Sequence, residues 1–192
     1  MAKSGVTSGT KTSSVKPTPA AAKKPSSSSA KPSKGATHAL APGDSAPDFS
    51  LESDSGKKVS LADFRGKTLV LYFYPKDSTP GCTRQAQAFE AAKQKMTKRG
   101  AAVVGVSKDS IKSHCSFRDK YALSFPLLSD PDLAVHRAYS VYGEKMMYGK
   151  KIMGTIRSTF VIDKKGKIAK VFSPVKVDGH ADEILAAVEG VA

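Results

Sequence analysis

The chain has 192 residues, room for one ordinary domain and an extension. Its 31 Lys and Arg against 17 Asp and Glu give a net charge of +14, unevenly spread, because residues 1–40 carry seven lysines, no acid and no aromatic. No run of roughly 18 apolar residues occurs, which excludes a membrane-spanning helix. Two cysteines, at positions 82 and 115, exclude a disulfide framework or a zinc site.

Residues 1–40 consist almost wholly of Ser, Ala, Pro, Lys, Thr and Gly. Such a segment buries too little apolar surface to offset its ordering entropy, and disorder is expected. Two uses stay open: a solubilising leader, or an arm for a polyanion such as nucleic acid. It has no apolar core of a secretory signal and no arginine of a typical transit peptide. A cytoplasmic location is expected, with a nucleoid, nuclear or organellar address through the tail left open. In a reducing compartment disulfides are transient and catalytic.

Residues 41–192 read as one folded domain. Segments 46–51 and 58–61 flank a turn cluster over 53–56 and predict an N-terminal β-hairpin. Residues 68–74 are nearly continuously apolar, as in a strand buried on both faces, and Pro75 ends them. A helix is predicted from about Cys82 to Arg99, closed by Gly100. Its Cys82, Ala86, Phe89, Ala92 and Met96 recur every three or four residues, so Cys82 faces inward. Residues 101–106 predict a second buried strand, 110–122 a helix, 125–128 a short strand and 131–139 a short helix. Residues 146–149 are expected as a loop beside the site. A hairpin over 158–162 and 167–172 and a final helix over 182–188 complete the chain. Strand–helix alternation implies right-handed parallel crossovers, and the late hairpin adds antiparallel strands. The fold class is therefore α/β, a mixed central sheet flanked by helices, with functional groups outside the carboxyl ends of the parallel strands.

Cys82 stands at such an end, where a strand turns into a helix. Unpaired N–H groups and the positive end of the helix dipole there favour an ionised sulfur. The run Pro75-x-x-x-Thr79-x-x-Cys82 resembles the active-site signature of the peroxiredoxins, which have a thioredoxin-like fold. The segment Gly154, Thr155, Ile156, Arg157 matches the one that carries that family's catalytic arginine. Residues 81–86, 105–114 and 125–130 resemble the bacterioferritin comigratory (Q-type) subfamily, and the likeness runs from about 41 to 188.

The resemblance implies a thiol-dependent peroxidase acting on hydrogen peroxide and organic hydroperoxides. Cys82 is the implied nucleophile. Thr79 would hydrogen-bond peroxide and thiolate, Arg157 would hold the thiolate and orient substrate, and Pro75 would shape the loop. It implies no metal, flavin or haem, a thioredoxin-type reductant, and a monomer. Many relatives place a second cysteine five residues after the nucleophile; this chain has Gln87 there. Cys115 is the implied resolving thiol, and a one-cysteine cycle closed by an external thiol stays open beside it. A Cys82–Cys115 bond would require local unwinding, because packed helices sit about 8–10 Å apart and a disulfide needs Cα atoms about 4.4–6.8 Å apart. Gln85 is within reach of the arginine or is an ordinary helix residue, and Arg84 reads as a solvated charge. His114 reads as a packed helix residue, and His38, His136 and His180 have no ligand-like company. The reading from another class is a nucleic-acid-associated protein with a lysine-rich arm and an incidental redox role.

Overall fold

The computed structural model describes residues 39–147 and 149–191. Nearly all of the tail expected over 1–40 lies outside the described residues. Leu40, assigned to that tail by composition, packs against the core.

In chain order the strands and helices are β1 (Ser50–Ser53), β2 (Lys58–Ser60), a 3-10 turn (Leu61–Phe64), β3 (Thr68–Phe73), α1 (Pro80–Lys98), β4 (Ala101–Ser107), α2 (Ile111–Tyr121), β5 (Leu127–Ser129), α3 (Ala134–Ala138), β6 (Tyr142–Met147), β7 (Lys150–Thr155), β8 (Ser158–Ile162), β9 (Ile168–Phe172) and α4 (His180–Glu189). Among the described residues, seven strands form one sheet in the order β2-β1-β5-β4-β3-β8-β9. The pairs β3–β4 and β4–β5 are parallel and the other neighbours antiparallel. The expected mixed sheet is present, and the N-terminal hairpin joins its edge through β1 and β5.

β3 runs through the centre with every residue buried. Its side chains alternate between faces. Val70 and Tyr72 enter one core layer with Phe89 and Met96 of α1, Phe117 of α2 and Ile184 of α4. Leu69, Leu71 and Phe73 enter the other, with Val104, Tyr139 and Phe160. Full burial of each such side chain contributes about 1.5–3 kcal/mol, so the strand that leads toward Cys82 is firmly held.

α1 begins with Pro80 in its first turn, where a missing N–H costs nothing. It ends where Gly100 adopts φ +73° past the C-cap. Its buried face is Cys82, Gln85, Ala86, Phe89 and Met96. The predicted stripe is there, with Gln85 added and Ala92 at its margin.

One expectation is corrected. Met146 and Met147 do not belong to a plain loop, and Tyr148 lies outside the described residues: β6 and β7 pair antiparallel from Tyr142 with Thr155 to Met147 with Lys150 as a separate two-stranded sheet. Paired backbones hold it, while Met146 and Met153 remain 66% and 58% exposed. No helix among the described residues is long and apolar enough to cross a membrane.

Candidate active site

The turn from β3 into α1 sets the site. The Tyr74 N–H still donates to Val106 O at 3.1 Å. Pro75, half-buried and without an N–H, ends the ladder, and the chain passes through Ser78 at φ +57° to the N-cap at Thr79. The first helical bond is from Thr83 N–H to Thr79 O, 2.8 Å. The N–H groups of Gly81 and Cys82 therefore precede the helical ladder, at its positive end.

Cys82 is 1% exposed and its thiol is free. Arg157 reaches it from the turn between β7 and β8: Nη2 lies 3.3 Å from the sulfur. The other arm, Nη1, donates to Gln85 Oε1. Gln85 is one turn beyond Cys82 on the same buried face, so one helix offers both partners of the planar guanidinium fork. A Cβ on residue 81 would lie 3.3 Å from Nη2, so Gly81 leaves the room the arginine uses. A thiolate at Cys82 would have the guanidinium as its counter-charge. In a nearly dry setting such a pair is worth far more than on a wet surface.

The remaining expected residues are spread around this pair. Thr79 is half-buried, and its hydroxyl donates to the Lys76 carbonyl at 3.1 Å rather than to the sulfur. Its lone pairs remain available to a donor. Cys115 is not brought to Cys82. It lies in the second turn of α2, half-exposed and free, and its thiol donates to the Asp54 carbonyl at 3.1 Å. The turn of the β1–β2 hairpin is pinned there by Arg118 Nη1 on Asp54 Oδ2 at 2.7 Å and by Leu127 N–H on Asp54 Oδ1 at 3.1 Å. Arg84 is exposed and pairs with Asp178 at 3.4 Å, as a solvated charge.

Lys145 was missed from the sequence. It crosses back over Gly154, where a Cβ would stand 2.8 Å from its Cε, and its ammonium donates to Thr155 O at 2.9 Å, two residues before Arg157. Burial and the Arg157 guanidinium push this ammonium below the ordinary lysine range, while the Cys82 sulfur pulls the other way. A lysine inside a polar, Gly-containing stretch gives no periodic signal of such a contact.

The three described histidines are committed elsewhere, and His38 lies outside the described residues. His114 is fully buried on Asp77, His136 on Asp130, and His180 between Thr159 and Glu183. Among the described residues no group of three His, Cys, Asp or Glu could hold a metal ion.

The AhpC/TSA family model matches residues 42–171. A Coxiella burnetii chain bearing the bcp peroxiredoxin name is 49% identical over 143 residues, covering 74% of this chain and 95% of that one. Peroxiredoxin Bcp of Xanthomonas campestris is 46% identical over 145 residues, 76% of this chain and 91% of that one. A solved Xanthomonas campestris Peroxiredoxin Q superposes with a TM-score of 0.71 at 46% identity, covering 74% of this chain and 90% of that chain. Another Xanthomonas campestris structure, titled for the alkyl peroxide reduction activity of a bacterioferritin comigratory protein, matches at 45% identity with a TM-score of 0.71 and the same coverage. With a buried helix-start cysteine under an arginine, this fold, and these matches along nearly the whole described domain, the chain belongs to the AhpC/TSA family and, within it, to the Bcp or Q-type peroxiredoxins.

Proposed function

We propose a two-cysteine cycle for this thiol-dependent peroxidase, with Cys82 as the attacking sulfur and Cys115 as the thiol that resolves it. The observation that supports Cys82 as the attacking sulfur is the 3.3 Å approach of Arg157 Nη2 to it, with Gln85 holding the other arm; Cys115 enters as the second thiol of the chain, half-exposed on α2.

The Cys82 thiolate attacks the terminal oxygen of a hydroperoxide. An S–O bond forms as the O–O bond breaks, leaving Cys82 as the sulfenic acid and the departing oxygen as an alkoxide or hydroxide. That oxygen takes a proton and leaves as alcohol or water. Negative charge thus moves from sulfur to the leaving oxygen, and donors that accompany it lower the barrier. Arg157 supplies them, with the N–H groups at the start of α1. Thr79 Oγ1, whose own hydrogen faces Lys76 O, accepts the peroxide O–H and orients the attacked oxygen. Pro75 shields the loop. Cys115 then condenses with the sulfenic acid, releasing water, and a thioredoxin-type dithiol reduces the disulfide. Hydrogen peroxide and organic hydroperoxides are the substrates.

Intact mass after one equivalent of hydrogen peroxide tests the cycle. Loss of two hydrogens supports the internal disulfide, and a lasting gain of one oxygen replaces it with a one-cysteine cycle. Peroxide consumption that survives Cys82→Ser overturns the nucleophile.

A second role rests on the seven lysines and absent acids of residues 1–40, which suit a polyanion. We propose that this arm binds nucleic acid without base readout. Deleting it should abolish DNA affinity and its steep salt dependence; unchanged affinity overturns the role.

A further inference from the structure

One buried carboxylate ties the loop that leads to Cys82 to the helix that carries Cys115. Asp77 is 5% exposed. Its Oδ1 accepts the Tyr74 hydroxyl at 2.7 Å. Its Oδ2 accepts the Ser113 hydroxyl at 2.7 Å and faces His114 Nδ1 at 2.9 Å. Its N–H donates to Asp109 Oδ2 at 2.8 Å, and that oxygen also accepts the Ser107 hydroxyl at 2.8 Å. Tyr74 and Asp77 bracket Pro75 on the approach to α1. Ser113 and His114 directly precede Cys115, and His114 is held from behind by Leu128 O, 3.2 Å from Nε2. Burial alone would raise the Asp77 carboxyl; the hydrogen bond and charge of His114, with Ser113 and Tyr74, outweigh it and hold the group below the ordinary carboxylate range.

Each sulfur is meanwhile engaged elsewhere, Cys82 with Arg157 and Cys115 with the Asp54 carbonyl. A disulfide needs Cβ atoms about 3.5–4.5 Å apart, so the first turns of α2 or the loop before α1 must open. Among the described residues, the side-chain bonds that join those two segments end on Asp77 or Asp109, apart from a 3.5 Å contact of the Tyr74 hydroxyl with His114 Nδ1.

We propose that Asp77 is a positioning residue with two settings. Closed on Ser113 and His114, it orders the loop over 75–79 for attack on peroxide. Released from them, it frees the start of α2 so that Cys115 reaches the oxidised Cys82. The proposal rests on Cys115 as the resolving thiol. In that step the Cys115 sulfur attacks the Cys82 sulfenic sulfur, an S–S bond replaces the S–O bond, and the hydroxyl leaves with the thiol proton as water. The oxidising equivalents are those of the peroxide consumed before.

A hydrogen bond to a buried charge shifts an opening equilibrium about tenfold or more. The full-length protein, Ser113→Ala and Asp77→Asn are mixed with one equivalent of hydrogen peroxide, quenched in acid at intervals and weighed intact. This separates gain of oxygen from loss of two hydrogens. Ser113→Ala should convert sulfenic acid to disulfide about tenfold faster than wild type. Asp77→Asn should do the same while gaining oxygen more slowly. General loosening of the fold would slow the gain of oxygen in Ser113→Ala as well, so faster disulfide formation with that first step unchanged in Ser113→Ala identifies positioning. Should Asp77→Asn not fold, Ser113→Ala decides alone. Disulfide formation no faster than wild type in Ser113→Ala overturns the proposal with the cycle intact. A wild type that forms no internal disulfide overturns the role of Cys115 and this proposal together.

Discussion

Gly81 and Arg157 share one small volume: a Cβ on residue 81 would stand 3.3 Å from Nη2, the atom that faces the Cys82 sulfur. Gly81→Ala should therefore move the guanidinium by a few tenths of an ångström. The helical backbone accepts alanine there, and replacing glycine in a helix adds up to about 0.5–1 kcal/mol of stability. The second-order rate constant for Cys82 oxidation should fall several-fold while the urea midpoint holds or rises. A lowered midpoint with unchanged rate would contradict this use of the glycine.

The fork of Arg157 joins Gln85 and Cys82 into one unit. Removing a donor aimed at developing charge typically costs about 100-fold or more in rate, and Arg157→Ala should lose about that much. Arg157→Lys retains charge but not the two-armed geometry and should recover little. Gln85→Leu should cost about tenfold, because it frees the arginine to turn. A double-mutant cycle on stopped-flow peroxide oxidation should be non-additive: once Arg157 is gone, the Gln85 change should cost almost nothing.

What could be read in advance follows from locality. Residues 68–74 announce a central strand because an unbroken apolar run suits burial on both faces, and Cys82, Ala86, Phe89 and Met96 mark a helix face by spacing. Arg157 was legible through the resemblance of its segment, since nothing in its neighbours' pattern sends it 75 positions back to Cys82. The β6–β7 hairpin was missed because Gly143, Glu144, Lys145, Lys150, Lys151 and Gly154 offer neither strand alternation nor a buried face. Asp77 was passed over for a related reason. An acid between Lys76 and Ser78 reads as a turn residue until Ser113 and His114 are folded onto it.

His180 gives neutral-to-acid stability a definite sign. It is buried between Phe89 and Phe172 and bonded to Thr159 at 2.9 Å. Burial lowers its protonation range; Glu183 pulls it back up and Arg157 adds to the lowering. The unfolded chain then binds a proton more readily than the folded one, so stability falls as pH drops below about 6.5. His180→Gln should flatten the change in urea midpoint between pH 7.5 and 5.5. An unaltered slope would remove His180 from the account.

Asp130 acts at lower pH and with the same sign. It accepts the Ala134 and His136 N–H groups at 3.1 and 2.8 Å and faces His136 Nδ1 at 2.6 Å. Burial raises the carboxyl, but the His136 side chain and these N–H groups outweigh it and hold it below the ordinary range. Its stabilisation is present above the unfolded value, about pH 3.9, and is lost as pH falls through the lower folded value. Asp130→Ala should destabilise the protein at pH 7 by about 1–3 kcal/mol, the cost of leaving buried donors without their acceptor. It should also flatten the acid limb of the stability curve below about pH 4. Chemical denaturation across that range checks both effects.

Lys145 contributes a second positive charge near Arg157 and Cys82 through an ammonium anchored on Thr155 O. The side chain is only partly buried, so its effect on a thiolate is screened and should be worth about 0.5–1 kcal/mol, or roughly two- to fivefold in rate. Lys145→Met keeps the apolar stem over Gly154 and removes the charge, and it should slow Cys82 oxidation by that factor at low salt. The difference from wild type should narrow at high salt, because screening weakens the same interaction in the native enzyme. Lys145→Arg should restore most of the rate. A Lys145→Met deficit that is independent of salt would mean that the hydrogen bond to Thr155, which orders the chain leading to Arg157, matters more than the charge.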